Sequence, residues 1–140
     1  MNLKLFFAKK VILLTAVLAA VSVCPLRAGA QVVSSDSVIN CITRTLQTAN
    51  VDSLAGYLNQ RVELSLPDFS GISSRNQAKI LLSEFFKSNQ PESFNIISSN
   101  RENDTYFIVG TIFCNTHNYR VSFLTKQQSN QQFVYQFTIE

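Results

Sequence analysis

Thr105-Tyr106-Phe107-Ile108-Val109-Gly110-Thr111-Ile112-Phe113-Cys114 is the stretch on which the fold turns. It is rich in β-branched and aromatic side chains and holds no proline, so it reads as a strand. Side chains alternate across a strand. One face therefore carries Tyr106, Ile108, Gly110, Ile112 and Cys114, and the other Phe107, Val109, Thr111 and Phe113. A strand that is apolar on both sides wants cover on both. Three more segments of the same composition surround it, at residues 94–98, 119–126 and 132–139. The faces of residues 119–126 are Tyr119, Val121, Phe123 and Thr125 against Arg120, Ser122, Leu124 and Lys126. Those of the last segment are Phe133, Tyr135, Phe137 and Ile139 against Val134, Gln136, Thr138 and Glu140. The links at 100–104, 115–118 and 127–131 are polar and of hairpin length, which predicts an antiparallel meander.

Upstream the period changes from two to 3.6. Over residues 34–50, Val38, Cys41, Ile42, Leu46 and Ala49 form one stripe of an amphipathic helix, with Ser34, Ser35 and Asp36 as cap candidates. A short helix follows over residues 51–58, starting at Asp52 or Ser53. Residues 61–66 alternate as a half-buried strand with Val62, Leu64 and Leu66 inward. Pro, Asp, Gly and Ser mark residues 67–74 as a loop. Over residues 74–89, Ala78, Leu81, Leu82, Phe85 and Phe86 give a wide apolar helical face, with Ser73 or Ser74 to cap it and Pro91 to stop it. Helices segregated from a run of antiparallel strands make an α+β domain, the helices on one face of a curved sheet.

The first thirty residues are of another kind. Lys4, Lys9 and Lys10 precede an apolar run from 11 to 23, and Ala28-Gly29-Ala30 offers small side chains before Gln31. This is a cleavable signal peptide, residues 1–30, cut between Ala30 and Gln31. The run is shorter than the about 20 residues of a membrane span, and Pro25 and Arg27 end it. Lipidation at Cys24 is the other reading, but Val23 is bulky where a small residue belongs. The expectation is a periplasmic or secreted protein of one domain, residues 31–140, with no stable membrane span. The segment also holds Lys4, Lys9, Lys10 and Arg27, four of the 12 basic residues and none of the 9 acidic ones. Without it 8 bases face 9 acids, net −1. The remaining bases are scattered singly, so there is no footprint for nucleic acid or an anionic membrane. Cys41 and Cys114 read first as two buried free thiols, and a disulfide, which the compartment of an exported protein permits, is the alternative.

The element order resembles the nuclear-transport-factor-2-like cone, in which helices close over the concave face of a bent sheet. Residues 62–67 (Val-Glu-Leu-Ser-Leu-Pro), 76–86 (Asn-Gln-Ala-Lys-Ile-Leu-Leu-Ser-Glu-Phe-Phe), 119–124 and 137–140 are similar to a family of small exported bacterial proteins, domain of unknown function 4783. An A-x-A cut before Gln31 is also common in exported proteins of the Bacteroidetes. The resemblance covers nearly all of residues 31–140 and implies the fold. Its motifs are framework patterns and name no catalytic group, and fold alone does not give function.

Cone enzymes that act as isomerases or dehydratases project an acid or base inward. The apolar face of each strand here holds no Asp, Glu or His. His117, the only histidine, falls in a link, where a shielded acid–base role is not expected. One His and two separated Cys do not make a zinc site. No phosphate-cradling glycine loop is present, and no cofactor is called for. Tyr57, Phe69, Phe86, Tyr106, Tyr119 and Tyr135 are the candidate lining of a pocket for an apolar small molecule, with phenol hydroxyls to orient it. Core filling is the other reading of the same residues. The expected role is a non-catalytic module that binds such a ligand or an envelope protein. An isomerase- or hydrolase-like enzyme and a structural homodimer without a pocket are the alternatives.

Overall fold

Each element forms where a local signal and a tertiary partner agree, and the computed structural model describes these for residues 35–140. The expected signal peptide with its cut at Ala30/Gln31, Cys24 and the expected Ser34 cap lie outside the described residues. The order is α1 (Ser35–Gln47), α2 (Val51–Tyr57), β1 (Leu58–Leu66), β2 (Phe69–Ser74), α3 (Arg75–Ser88), β3 (Pro91–Glu102), β4 (Thr105–Cys114), β5 (Asn118–Gln128) and β6 (Gln131–Ile139). Among the described residues no helix is long and apolar enough to cross a membrane.

The buried stripe of α1 is Val38, Ile39, Ile42, Thr45 and Leu46. Thr45 is tolerated there because its hydroxyl donates to the Ile42 carbonyl at 2.7 Å. Cys41, placed on this stripe by its spacing, is exposed instead, one helical step round from Ile42. Ala49 at φ 51° turns the chain into α2. Asn50 caps that helix, its side chain accepting from the Ser53 amide at 3.0 Å, so the start lies ahead of Asp52 and Ser53. Ser74 caps α3 by accepting from the Gln77 amide.

The sheet runs β2-β1-β6-β5-β4-β3. The meander β3–β6 is antiparallel as expected, but β1 lies parallel to β6, which makes the sheet mixed. Residues 67–74 correct the loop reading. Only Pro67 and Asp68 turn, and β2 pairs with β1 from Leu66↔Phe69 to Arg61↔Ser74. A Ser/Gly-rich segment holds a strand there because it is an edge, bonded on one side only. For the same reason β3 extends well beyond residues 94–98, through Asn and Ser positions that β4 keeps in register.

All three helices bury their apolar faces in one core with the sheet. Ile42, Leu46, Leu54, Leu58 and Leu82 meet Val62, Leu64, Ile108, Ile112, Phe123, Phe137 and Ile139, each under 2% exposed. Phe123 and Phe137 stack across β5 and β6 with centroids 6.1 Å apart. β6 departs from strict alternation. Leu124 pairs with Gln136 but Thr125 with Val134, which leaves Tyr135 as an extra residue. The bulge turns Val134 into the core and sends Phe133 and Tyr135 to the half-exposed side, reversing the faces that alternation assigns to them.

Candidate functional site

The six aromatic candidates are dispersed. Phe86 is 4% exposed, next to Phe85, whose ring meets it edge-on at 5.3 Å. Tyr119 presents its edge to Phe85 at 5.1 Å and donates its hydroxyl to Asn89 Oδ1 at 2.9 Å. Phe69 is half-buried at the start of β2, against the core. Tyr106 is buried on the inner face of β4 and its hydroxyl has no hydrogen-bond partner. The Arg101 guanidinium lies 5.0 Å from its ring centroid. Tyr57 ends α2 beside the exposed Cys41. The hydrogen bond with Cys41, then burial, then the charge of that thiol push the Tyr57 phenol above its ordinary range. Tyr135 stands on the β6 bulge, donates to Gln128 Oε1 at 2.9 Å, and has Lys126 Nζ 5.6 Å from its ring centroid. Only Phe86 and Tyr119 come near one another, through Phe85.

Cys41 and Cys114 are both free thiols, with no disulfide between them. Cys41 is exposed on α1 while Cys114 is buried at the end of β4, and burial followed by the charge of Glu92 raises its thiol pKa. His117 is exposed in the turn between β4 and β5, its carbonyl accepting from the Cys114 amide at 3.2 Å. Among the described residues no three His, Cys, Asp or Glu side chains are placed to share a metal ion. None of the described acidic or basic side chains is buried.

Surface grooves are lined by the described residues. One of ≈ 590 Å³ separates the α1–α2 turn from the end of α3 and includes Phe86, Lys87 and Asp52. A second, ≈ 660 Å³, follows α1 past Cys41, Arg44 and Tyr57. The third, ≈ 410 Å³, was not foreseen from sequence. Arg61, Arg75, Phe133 and Tyr135 line it together with the amides of Asn59, Gln60 and Gln128. It opens where β1 and β6 lose register, between the pairs Leu58↔Val134 and Glu63↔Gln136. The β1–β2 pairing sets Arg61 opposite Ser74, adjacent to Arg75. Arg75 is anchored by its Nε, which donates to the Leu58 carbonyl at 2.8 Å, and its guanidinium carbon lies 5.9 Å from the Phe133 ring centroid. The signal available in the sequence was a hairpin joining Arg61 to Arg75, and it was hidden by reading residues 67–74 as a loop.

The sequence matches the domain of unknown function DUF4783 over residues 39–140. The chain belongs to the DUF4783 family. A DUF4783 protein from Bacteroides fragilis YCH46 is 26% identical, with TM-score 0.67 over 71% of this chain and 93% of that one. One from Bacteroides uniformis ATCC 8492 is 21% identical, with TM-score 0.70 over 74% and 95%. An NTF2-like protein of unknown function from Cytophaga hutchinsonii ATCC 33406 shares 11% identity and a TM-score of 0.54 over 75% and 87%, which is a likeness of fold. No curated protein matches the sequence. The family resemblance and the cone-like α+β fold expected from the sequence are thus both met in this DUF4783 chain.

Proposed function

We propose that this protein is a non-catalytic binding module of the cell envelope, which makes its contacts on its outer surface and not inside the sheet. The observation that carries this reading is the state of the inner face. Where a cone enzyme would project an acid or base, the concavity is filled by Leu46, Leu54, Leu82, Ile112, Phe123 and Phe137. The titratable side chains buried among the described residues are Tyr106 and Cys114 alone. Outside, Phe107 at 43% exposed, paired with Leu124, and Ile97 at 67%, on the edge strand β3, leave apolar surface open. The sequence of residues 1–30 supports export, which supplies the compartment. Native mass spectrometry of the protein purified from its own envelope, with a denaturing run beside it, tests the reading. A mass above the 110-residue polypeptide of residues 31–140 that disappears on denaturation is expected. A bare monomer in both runs would reject it.

A further inference from the structure

We infer that the groove at the β1–β6 discontinuity is a binding site for a small sugar acid, that is, a carboxylate on a polyhydroxylated body. This deepens the binding-module reading by naming a site and a ligand class. The charge requirement comes from Arg61 and Arg75. Neither has a carboxylate partner: among the described residues the one ion pair joins Lys79 to Asp52. Lys126, over the ring of Tyr135, adds a third cation at the rim. Three of the eight bases outside residues 1–30 therefore gather at one end of a domain whose net charge is close to zero. Glu63, which pairs with Gln136, and Asp104, next to the Thr105↔Lys126 pair, are not part of the lining.

The geometry favours a planar carboxylate. Arg75 is held by its Nε bond to Leu58, so its fork is already oriented, and a fixed guanidinium takes a carboxylate through two parallel hydrogen bonds. The rest of the lining fits the body of the ligand. Asn59, Gln60 and Gln128 bring amides, which both donate to and accept from hydroxyl groups. Phe133 and Tyr135 offer apolar ring surface for the C–H face of a sugar ring. The discontinuity is what assembles the site. Residues 59–62 are left without partners on β6, and the bulge turns Phe133 and Tyr135 outward beside them. A regular ladder would put neither the amides nor the rings there.

The test is a titration of the ¹⁵N-labelled full-length protein with D-glucuronate, D-glucose and sodium sulfate, followed by NMR. Saturable shifts at residues 59–61, 75, 128 and 133–135 are expected with glucuronate, with glucose and sulfate each at least about tenfold weaker. Arg61→Gln changes an exposed side chain and is expected to weaken glucuronate by about tenfold while the fold is kept. Lys87→Gln, in a different groove, should leave the titration unchanged. No saturable shift, an unaltered titration in Arg61→Gln, or sulfate binding as well as glucuronate would each overturn the assignment. The site and the broader reading fail separately. A native preparation that keeps its extra mass equally well in Arg61→Gln would retain the module and lose this groove.

Discussion

Tyr106 and Gly110 occupy the same inner face of β4 and are constrained in opposite ways. The Tyr106 hydroxyl is buried without a partner, and a buried unpaired polar group costs about 1–3 kcal/mol. Tyr106→Phe keeps the ring and its contact with Arg101 and removes only that cost. Its urea-unfolding free energy is expected to be unchanged or higher by about 1 kcal/mol. A loss of that size would mean the hydroxyl is engaged by a bound group in solution. At Gly110 a Cβ would sit 2.5 Å from Phe94 Cζ and 2.6 Å from the Asn95 carbonyl oxygen. The ring of Phe94 lies over the glycine, and the Asn95 oxygen belongs to the paired strand, so neither can step aside without disturbing β3. Gly110→Ala is expected to destabilise by about 1–3 kcal/mol, read as a lower urea midpoint at unchanged slope. An unshifted midpoint would show that β3 yields at this point.

At the scale of elements, local signals decide the interior and tertiary pairing decides the edges. β4 was legible to its end residues because its composition and its burial agree. β2 and most of β3 were not, since serine, glycine and asparagine carry little strand signal and these two strands are held by a neighbour on one side only. The β6 bulge was equally invisible, because Val134, Tyr135 and Phe137 are all acceptable on an inner face and only packing chooses among them. That single choice removed Tyr135 from the foreseen aromatic lining and placed it in the groove with the arginines. The start of α3 was read better, because a cap is a local signal. Ser74 satisfies the Gln77 amide of a 14-residue helix that carries Ala78, Leu82 and Phe86 into the core. Ser74→Ala should therefore lower stability by about 1 kcal/mol, and Ser74→Asp should restore it, measured by thermal or urea unfolding. Equal stabilities for the three forms would mean that packing alone holds the helix end.

Over residues 35–140 the sheet order makes one strand the hinge of the architecture. β1 and β2 reach the β3–β5 meander only through β6, which pairs with β1 on one side and β5 on the other. Chain order conceals this, since β1 and β6 are separated by almost the whole domain and their pairing is parallel. The end of β6 is also where the ties concentrate. Phe137 and Ile139 are at most 1% exposed, Leu64 pairs with Phe137, and Arg120 and Glu140 exchange two backbone hydrogen bonds of 2.6 and 2.9 Å. A chain ending at Gln136 loses all of them at once. Emptying a buried Phe or Ile site costs about 3–5 or 2–5 kcal/mol, against a total stability of about 5–15 kcal/mol for a small domain. The truncated chain should therefore lose its near-ultraviolet circular dichroism and its cooperative thermal transition together, with no intact meander surviving as a separate unit. A comparison form with Glu140 alone removed gives up the Glu140 backbone bonds but leaves both buried side chains in place, and should keep a cooperative transition at lower temperature. If the chain ending at Gln136 melted cooperatively as well, β6 would not be the strand that joins the two halves, and the helices would have to be doing so across the core.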